Sequence, residues 1–411
     1  MPRSGFLGWR MVALGFLAQN LALGLTFGSF GVLIKPVAAD LDASRGAASL
    51  GIALILVLMG IAGPVLGVAL TRYPIRRIMM LGALAMAAGF AIASQARGFS
   101  GFLVGYSLIG GAGCAALGVI PATTLVSNWF VARIGLAIGL LSIPLLVALA
   151  PPMVTLLVDA YGWRVALLAQ AGLLLAMLPL LSLVVSRPED VGQHALGIEN
   201  APLVGSGHAP AAGLDNGTLL RSGRFWGVLI ATGLLTTGGI VITVHVVPFA
   251  TDQGIGSTHA AWLQSVNGFS AMGGALLFGW VADRIGSRQT LGLMALLQAT
   301  LWSLLLLFPD FNVLIALLVG IGLCSGAAHP VFAALLSSVY GQVGFAQALG
   351  LATLLMMPFT FAAAPLAGWL FDLSGSYTLS FQVQIGAFVA AAVAFLVVLG
   401  NTGARSRAPG N

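Results

Sequence analysis

The sequence predicts an all-α polytopic membrane protein, twelve transmembrane helices in two six-helix repeats, and three observations carry that prediction. Hydrophobic residues make up 59% of the 411 and charged residues only 7%, where a soluble globular domain carries roughly 25% charge. Twelve apolar segments approach the length of about 20 residues that spans a bilayer. Landmarks also recur at constant spacing: Gly67 and Gly279, Arg72 and Arg284, and Arg76 and Arg288 are each separated by 212 positions.

The segments run approximately over 9–35, 47–70, 76–96, 100–128, 133–158 and 163–186, then over 223–250, 259–282, 289–308, 312–340, 345–371 and 379–400. Between the two sets lies the one long polar break, 187–222, whose Gly, Pro, Ala and Asn content favours a mobile linker. The expected domains are therefore an N-terminal half (1–186), a cytoplasmic linker (187–222) and a C-terminal half (223–411). Arg3 and Arg10 run straight into the first segment without a small-residue cleavage site, as in an uncleaved helix.

A net charge of +6 and a pI near 10 would suit a nucleic-acid partner, but the placement of the basic residues argues otherwise. With both termini inside, thirteen of the seventeen fall on the cytoplasmic side, and only Lys35, Arg45, Arg97 and Arg164 fall outside. That bias is a topology signal, so no nucleic acid is expected. Cys114 and Cys324 lie in apolar runs and read as packed small hydrophobes. The glycine-dense run Gly110–Gly118 has no preceding strand and no following Lys-Ser/Thr, which sets aside a phosphate loop and leaves close helix packing. Pro144, Pro151 and Pro152 predict bends in the fifth segment.

The repeat extends further. Pro152, Asp159 and Gly162 have counterparts 213 positions on in Pro365, Asp372 and Gly375, and Trp129 and Gly139 are matched 211 positions on by Tyr340 and Gly350. Parallel repeats of this kind place a substrate site near the bilayer midplane and expose it alternately to either side. An enzyme would instead need a nucleophile–base pair, a metal cluster or paired carboxylates at membrane depth. The sequence offers none, so no catalytic residue, metal or cofactor is expected. A receptor or scaffold is the non-transport alternative.

The stretch GWVADRIGSR, with Gly279, Asp283, Arg284, Gly286 and Arg288, falls in the loop after the eighth segment. It resembles the signature of the major facilitator superfamily. The earlier copy, GVALTRYPIRR, departs from it with Thr71 in place of the acid and Pro74 in place of the glycine. Four further stretches, NWFVARIGLAIGL, RPEDVG, HVVPFATDQGIG and PLAGWLFDLSGSY, resemble the bacterial monocarboxylate-transporter-like branch. The resemblance implies the major facilitator fold in a bacterial inner membrane, both termini cytoplasmic. It also implies a monomer moving a small organic anion together with a proton. In that branch an arginine about one turn before the signature glycine pairs with the substrate carboxylate. This chain has Ala275 there and no lysine in the eleventh segment.

A carboxylate buried at membrane depth requires a cation or several donors. All eleven Asp and Glu fall in loops or near helix ends, and the spans hold only His245 and His329 as groups that titrate near neutral pH. His329, before Pro330, reads either as a packing residue or as the substrate-facing carrier of the coupling proton. His245, two residues before Val247-Pro248, reads as an outer gate or an interfacial residue. Asn20, Tyr106, Gln264 and Asn267 complete the candidate substrate contacts, the last two sharing a helix face. Interhelical hydrogen bonding, worth about 0.6 kcal/mol on average in membranes, is the other reading of these four. Asp283 is expected to hold nearby basic groups or a helix N-terminus. The nearly charge-free spans also suit an exporter or facilitator of a neutral or amphipathic molecule.

Overall fold

The computed structural model describes residues 6–131, 133–197, 216–307 and 310–398. Residues 198–215 of the expected linker lie outside them, as do Arg3 and the C-terminal residues from 399 on. The described residues form twelve long helices, a short helix Asn216–Arg221 and a 3-10 turn Pro188–Val191, and no sheet apart from an isolated bridge between Phe130 and Leu196. In the first half these are α1 (Gly8–Asp40), α2 (Arg45–Arg72), α3 (Ile75–Ser94) and α4 (Phe99–Trp129). Helix α5 starts as Ile134–Leu141 and resumes at Leu145, in a helical run Leu145–Ala176 that Gly162 divides; α6 is the part beyond it. In the second half they are α7 (Gly223–Asp252), α8 (Ser257–Ile285), α9 (Ser287–Leu305), α10 (Phe311–Tyr340), α11 (Gln347–Ser374) and α12 (Thr378–Val397).

Apolar side chains on every face and the need to close every backbone hydrogen bond inside the chain account for the helices. Glycine or proline marks several of the stops, while Asp42 (φ +49°) and Arg133 (φ +60°) make the turns after α1 and α4. Gly162 (φ +82°) and Gly375 (φ +70°), one pair of the sequence repeat, both adopt the left-handed conformation that glycine alone enters without a Cβ penalty. The signature loops differ: Gly286 has φ +90°, whereas Pro74 has φ −58°, because its ring forbids the positive value. One expected loop is missing. Helical hydrogen bonding continues from Phe311 to Leu355, and the break comes at Met356, just before Pro358, the first residue after Pro330 that cannot donate to a helical ladder.

Contacts divide the chain into two compact units. One comprises residues 1–43 and 54–207, the other 44–53 and 208–411. The first three turns of α2 therefore belong with the second unit.

In the first unit, α3 and α4 meet backbone to backbone. A Cβ on Gly89 would lie 2.5 Å from the Gly110 nitrogen and 2.6 Å from the Gly105 oxygen. Beside this seam Tyr106 stacks between Phe90 and Phe102, with ring centroids 5.1 and 5.2 Å away. The ends of α4 and α6 are tied by Asn128 Nδ2 donating to Ser186 O (3.0 Å) and Trp129 Nε1 donating to Val185 O (3.0 Å). In the second unit, Gly322 and Gly326 of α10 press against the carbonyls of Asn267 and Ala271 on α8. Trp302 donates to Gln298 Oε1 at 3.1 Å, and Gln298 donates in turn to Ile321 O and Ser325 Oγ. This closes a polar set inside an apolar core.

Leucine at Gly89 should force α3 from α4 and cost about 1–3 kcal/mol. The expected result is a clearly lower unfolding temperature in detergent, with Gly172→Ala unchanged because nothing lies within 4 Å of that Cβ.

Candidate functional site

The most highly connected polar cluster lies in the second unit, at the ends of α7 and α11 and the start of α2. His245 of α7 is only 1% exposed. Its Nε2 lies 2.9 Å from the Ala364 carbonyl and 3.3 Å from Ser49 Oγ, and its Nδ1 lies 3.0 Å from the Tyr377 hydroxyl. A carbonyl only accepts, so Nε2 carries the proton and Nδ1 accepts. Burial holds the Tyr377 phenol above its ordinary range, keeping it a donor toward Nδ1. The same oxygen accepts from Arg45 Nη1 at 3.2 Å.

Arg45 is fixed on three sides. Both of its terminal nitrogens bind the Asp252 carboxylate, Nη2 at 3.0 Å from Oδ1, a bidentate pairing of two charged groups. Its guanidinium lies 3.7 Å from the centre of the Phe371 ring, within cation–π range. Asp372 accepts from the backbone nitrogens of Arg45 (3.0 Å) and Gly46 (2.8 Å), closing free N–H groups at the positive end of α2. Glycines permit the approach: a Cβ on Gly46 would stand 3.0 Å from the Trp369 nitrogen, and one on Gly368 would stand 2.8 Å from the Arg45 carbonyl.

The first unit holds a simpler version. Arg164 pairs with Asp40, donates to Ala96 O at 2.9 Å and covers Trp163. Asp40 and Asp252 are 212 positions apart and Arg164 and Tyr377 are 213 apart, the spacings of the repeat. The arginine of one copy is thus a tyrosine in the other, and Arg45 supplies the missing cation.

Of the six expected substrate contacts, Asn20 and Tyr106 belong to the first unit and the other four to the second. Asn20 donates to Phe16 O (3.1 Å) and Ile143 O (3.0 Å) and accepts from the Leu146 nitrogen at 2.9 Å. It bridges the break in α5 around Pro144 and lines an apolar cavity of about 340 Å³ between α1, α5 and α6. Tyr106 donates to Thr26 O at 2.8 Å inside its aromatic stack. Both side chains make hydrogen bonds to helix backbone within the first unit, the interhelical role that was the other reading of these residues. His245 lies in the cluster described above, with its ring nitrogens engaged within it.

Gln264 and Asn267 are buried on α8, and Asn267 Oδ1 has no hydrogen bond among the described residues. His329 is exposed on α10, and its ring has no hydrogen bond among them. Helices α8 and α10 run together from the Gly326–Ala271 contact. His329 and Ala275, three and four residues further on, therefore fall within a turn of the same level.

At the signature loop, Gly286 makes the turn between α8 and α9 and no Cβ obstacle surrounds Gly279. Arg284 lies over the Trp280 ring at 3.8 Å and Arg288 donates to Phe395 O at 3.1 Å. Asp283 is exposed and has no ion pair among the described residues. Its basic neighbours Arg284 and Arg288 make their contacts with Trp280 and Phe395 instead.

Sequence reading passed over Arg45, Ser49, Asp252 and Tyr377, treating the charged ones as loop or end residues. The signal available was the spacing of Asp40 with Asp252.

Removing the Asn20 bridge by Asn20→Ala leaves the half-buried Leu146 N–H without its partner, while the Ile143 carbonyl keeps only the Leu145 N–H. The expected cost is about 1–3 kcal/mol, read as a lower unfolding temperature of the purified protein.

Comparison with known proteins agrees with this architecture. The sequence matches the Major Facilitator Superfamily over residues 16–258 and 234–411. It is 31% identical to monocarboxylate transporter 13 of Bos taurus over 408 residues, covering 97% of this chain and 90% of that protein. Identity to human monocarboxylate transporter 11 is 30%, over 93% of this chain and 81% of the relative. Among solved structures, a point mutant of a peptide transporter superposes with a TM-score of 0.75 at 15% identity, over 96% of this chain and 95% of that one. A bacterial homolog of the human lysosomal transporter Spinster superposes with a TM-score of 0.73 at 14% identity, over 99% and 100%. Twelve helices, a sequence repeat visible in the backbone and relatives matched over nearly their whole length lead to one conclusion: the chain belongs to the Major Facilitator Superfamily, as a multi-pass membrane transporter related to the monocarboxylate transporters.

Proposed function

We propose that the protein moves a small monocarboxylate-like anion together with a proton by alternating access. The observation that carries this reading is the 30–31% identity to monocarboxylate transporters across almost the full chain. His329 supports it chemically. A neutral imidazole takes up a proton in the physiological range, and the resulting cation can pair with a carboxylate where Ala275 leaves no arginine nearby. The amides of Gln264 and Asn267 on α8 would add neutral donors. Both repeats lie in one chain, so a monomer suffices. The distribution of arginines favours cytoplasmic termini, and a bacterial inner membrane remains the proposed location.

A specific observation favours a second reading, passage of a neutral or amphipathic molecule. The cavity beside Asn20 and another of about 310 Å³ between α7, α11 and α12 are lined almost wholly by apolar side chains, the second with Thr237, Ser380 and Gln384 as its polar members.

Uptake of labelled short monocarboxylates into proteoliposomes separates the two. An inward proton gradient should accelerate uptake, His329→Gln should abolish that acceleration and slow transport by about tenfold or more, and the matching amides should not be carried. Equal transport of the amides, indifferent to the gradient, would establish the second reading instead.

A further inference from the structure

The His245 cluster is connected with one polarity. Arg45 donates to the Tyr377 oxygen, Tyr377 donates to Nδ1, and Nε2 donates to the Ala364 carbonyl. Every group uses its hydrogens in the same direction, and this wiring exists only while His245 is neutral. A proton on Nδ1 turns the acceptor into a donor facing Tyr377. The phenol oxygen would then accept from two cations while its own hydrogen lost its partner.

The charges around the histidine make such a proton tolerable. Arg45 from α2, Asp252 from α7 itself, Asp372 from α11 and the Tyr377 phenol from the α11–α12 turn are the charged and titratable groups facing it. One cation and two carboxylates leave the set one negative charge in excess, which an imidazolium balances. The carboxylates cannot serve as the new acceptor without cost, since Asp252 is held by Arg45 and both Asp372 oxygens are held by backbone N–H groups of α2. The carboxylates offset part of the cost of an imidazolium at this buried position, Arg45 adds to that cost, and protonation requires the hydrogen bonds to be rewired.

We propose that this cluster is a proton-operated latch: protonation of His245 releases the first turns of α2, Arg45–Ala53, from α7 and α11. Those turns are the part of α2 that clusters with the second unit, while the helix from Leu54 on clusters with the first. Ser49, whose hydroxyl donates to its own Arg45 carbonyl at 2.7 Å and lies against Nε2, puts the histidine in direct contact with the segment it controls. The latch does not depend on the identity of the cargo or on His329.

The test is a cysteine accessibility measurement on purified protein in nanodiscs, in a background carrying Cys114→Ala and Cys324→Ala. Ala48 is 2% exposed, so Ala48→Cys reports release; Gln253→Cys, at an exposed position of the same unit, corrects for the pH dependence of the maleimide reaction. The ratio of labelling rates should rise about tenfold as the pH is lowered from 7.5 to 4, a window that reaches below the range of an exposed histidine. His245→Gln should flatten the response, as should Tyr377→Phe, which keeps the histidine but removes the relay. The second variant decides the matter if the first does not fold. A wild-type ratio indifferent to pH overturns the proposal. So does a full response retained in His245→Gln, or in Tyr377→Phe, because the carboxylates would then be carrying it.

Discussion

A hydrocarbon environment offers no hydrogen bonds, and most of this structure follows from that constraint. Every backbone N–H and C=O must close inside the protein, so the chain is helical almost wherever it is apolar. Each departure from the helix needs a local substitute partner. Asn20 is such a substitute: the break in α5 leaves a donor at Leu146 and an acceptor at Ile143, and one amide answers both. Asp372 does the same for the start of α2. Polar residues in the spans are first of all repairs to the backbone, and only those with capacity left over are available to a substrate.

That distinction explains what could be read from the sequence. Helix number and the repeat, with Gly162 and Gly375 as one of its pairs, were legible because they follow from apolar length and fixed spacing; the left-handed conformation of those glycines came from the structure. The family was legible from the loop Gly279–Arg288. The roles of Asn20 and Tyr106 were not, because a sequence does not show whether a polar side chain's hydrogens are already taken by Ile143 or Thr26. Arg45 was equally hidden. It was read as one of four basic residues outside the membrane, and its pairing with Asp252 spans 207 positions, farther than any local pattern reaches.

Close packing has a similar two-sided character. The α3–α4 and α8–α10 seams are both built from glycines, yet they join different pairs of helices in the two units. Gly82, Gly89, Gly105 and Gly113 bring α3 to α4, while Gly274, Gly322 and Gly326 bring α8 to α10. Small residues at a helix interface permit approach without specifying a partner. The equivalent pairs also meet, Gly320 of α10 against Leu301 of α9 and Gly111 of α4 against Ile55 of α2, so the duplicated halves differ in which pair approaches most closely rather than in which helices touch.

The exchange of Arg164 for Tyr377 between the two copies carries this divergence into mechanics. In the first unit, acid and base both come from that unit's own end-of-helix positions, so the corner is closed whatever α2 does. In the second, the acid at Asp252 is met by a base from the start of α2, and the phenol in the vacated place joins that base to a histidine. One copy joins its acid to a base and stops there, and the other extends the same pair through a phenol to a histidine, so only the second corner carries a group through which a proton could act on it.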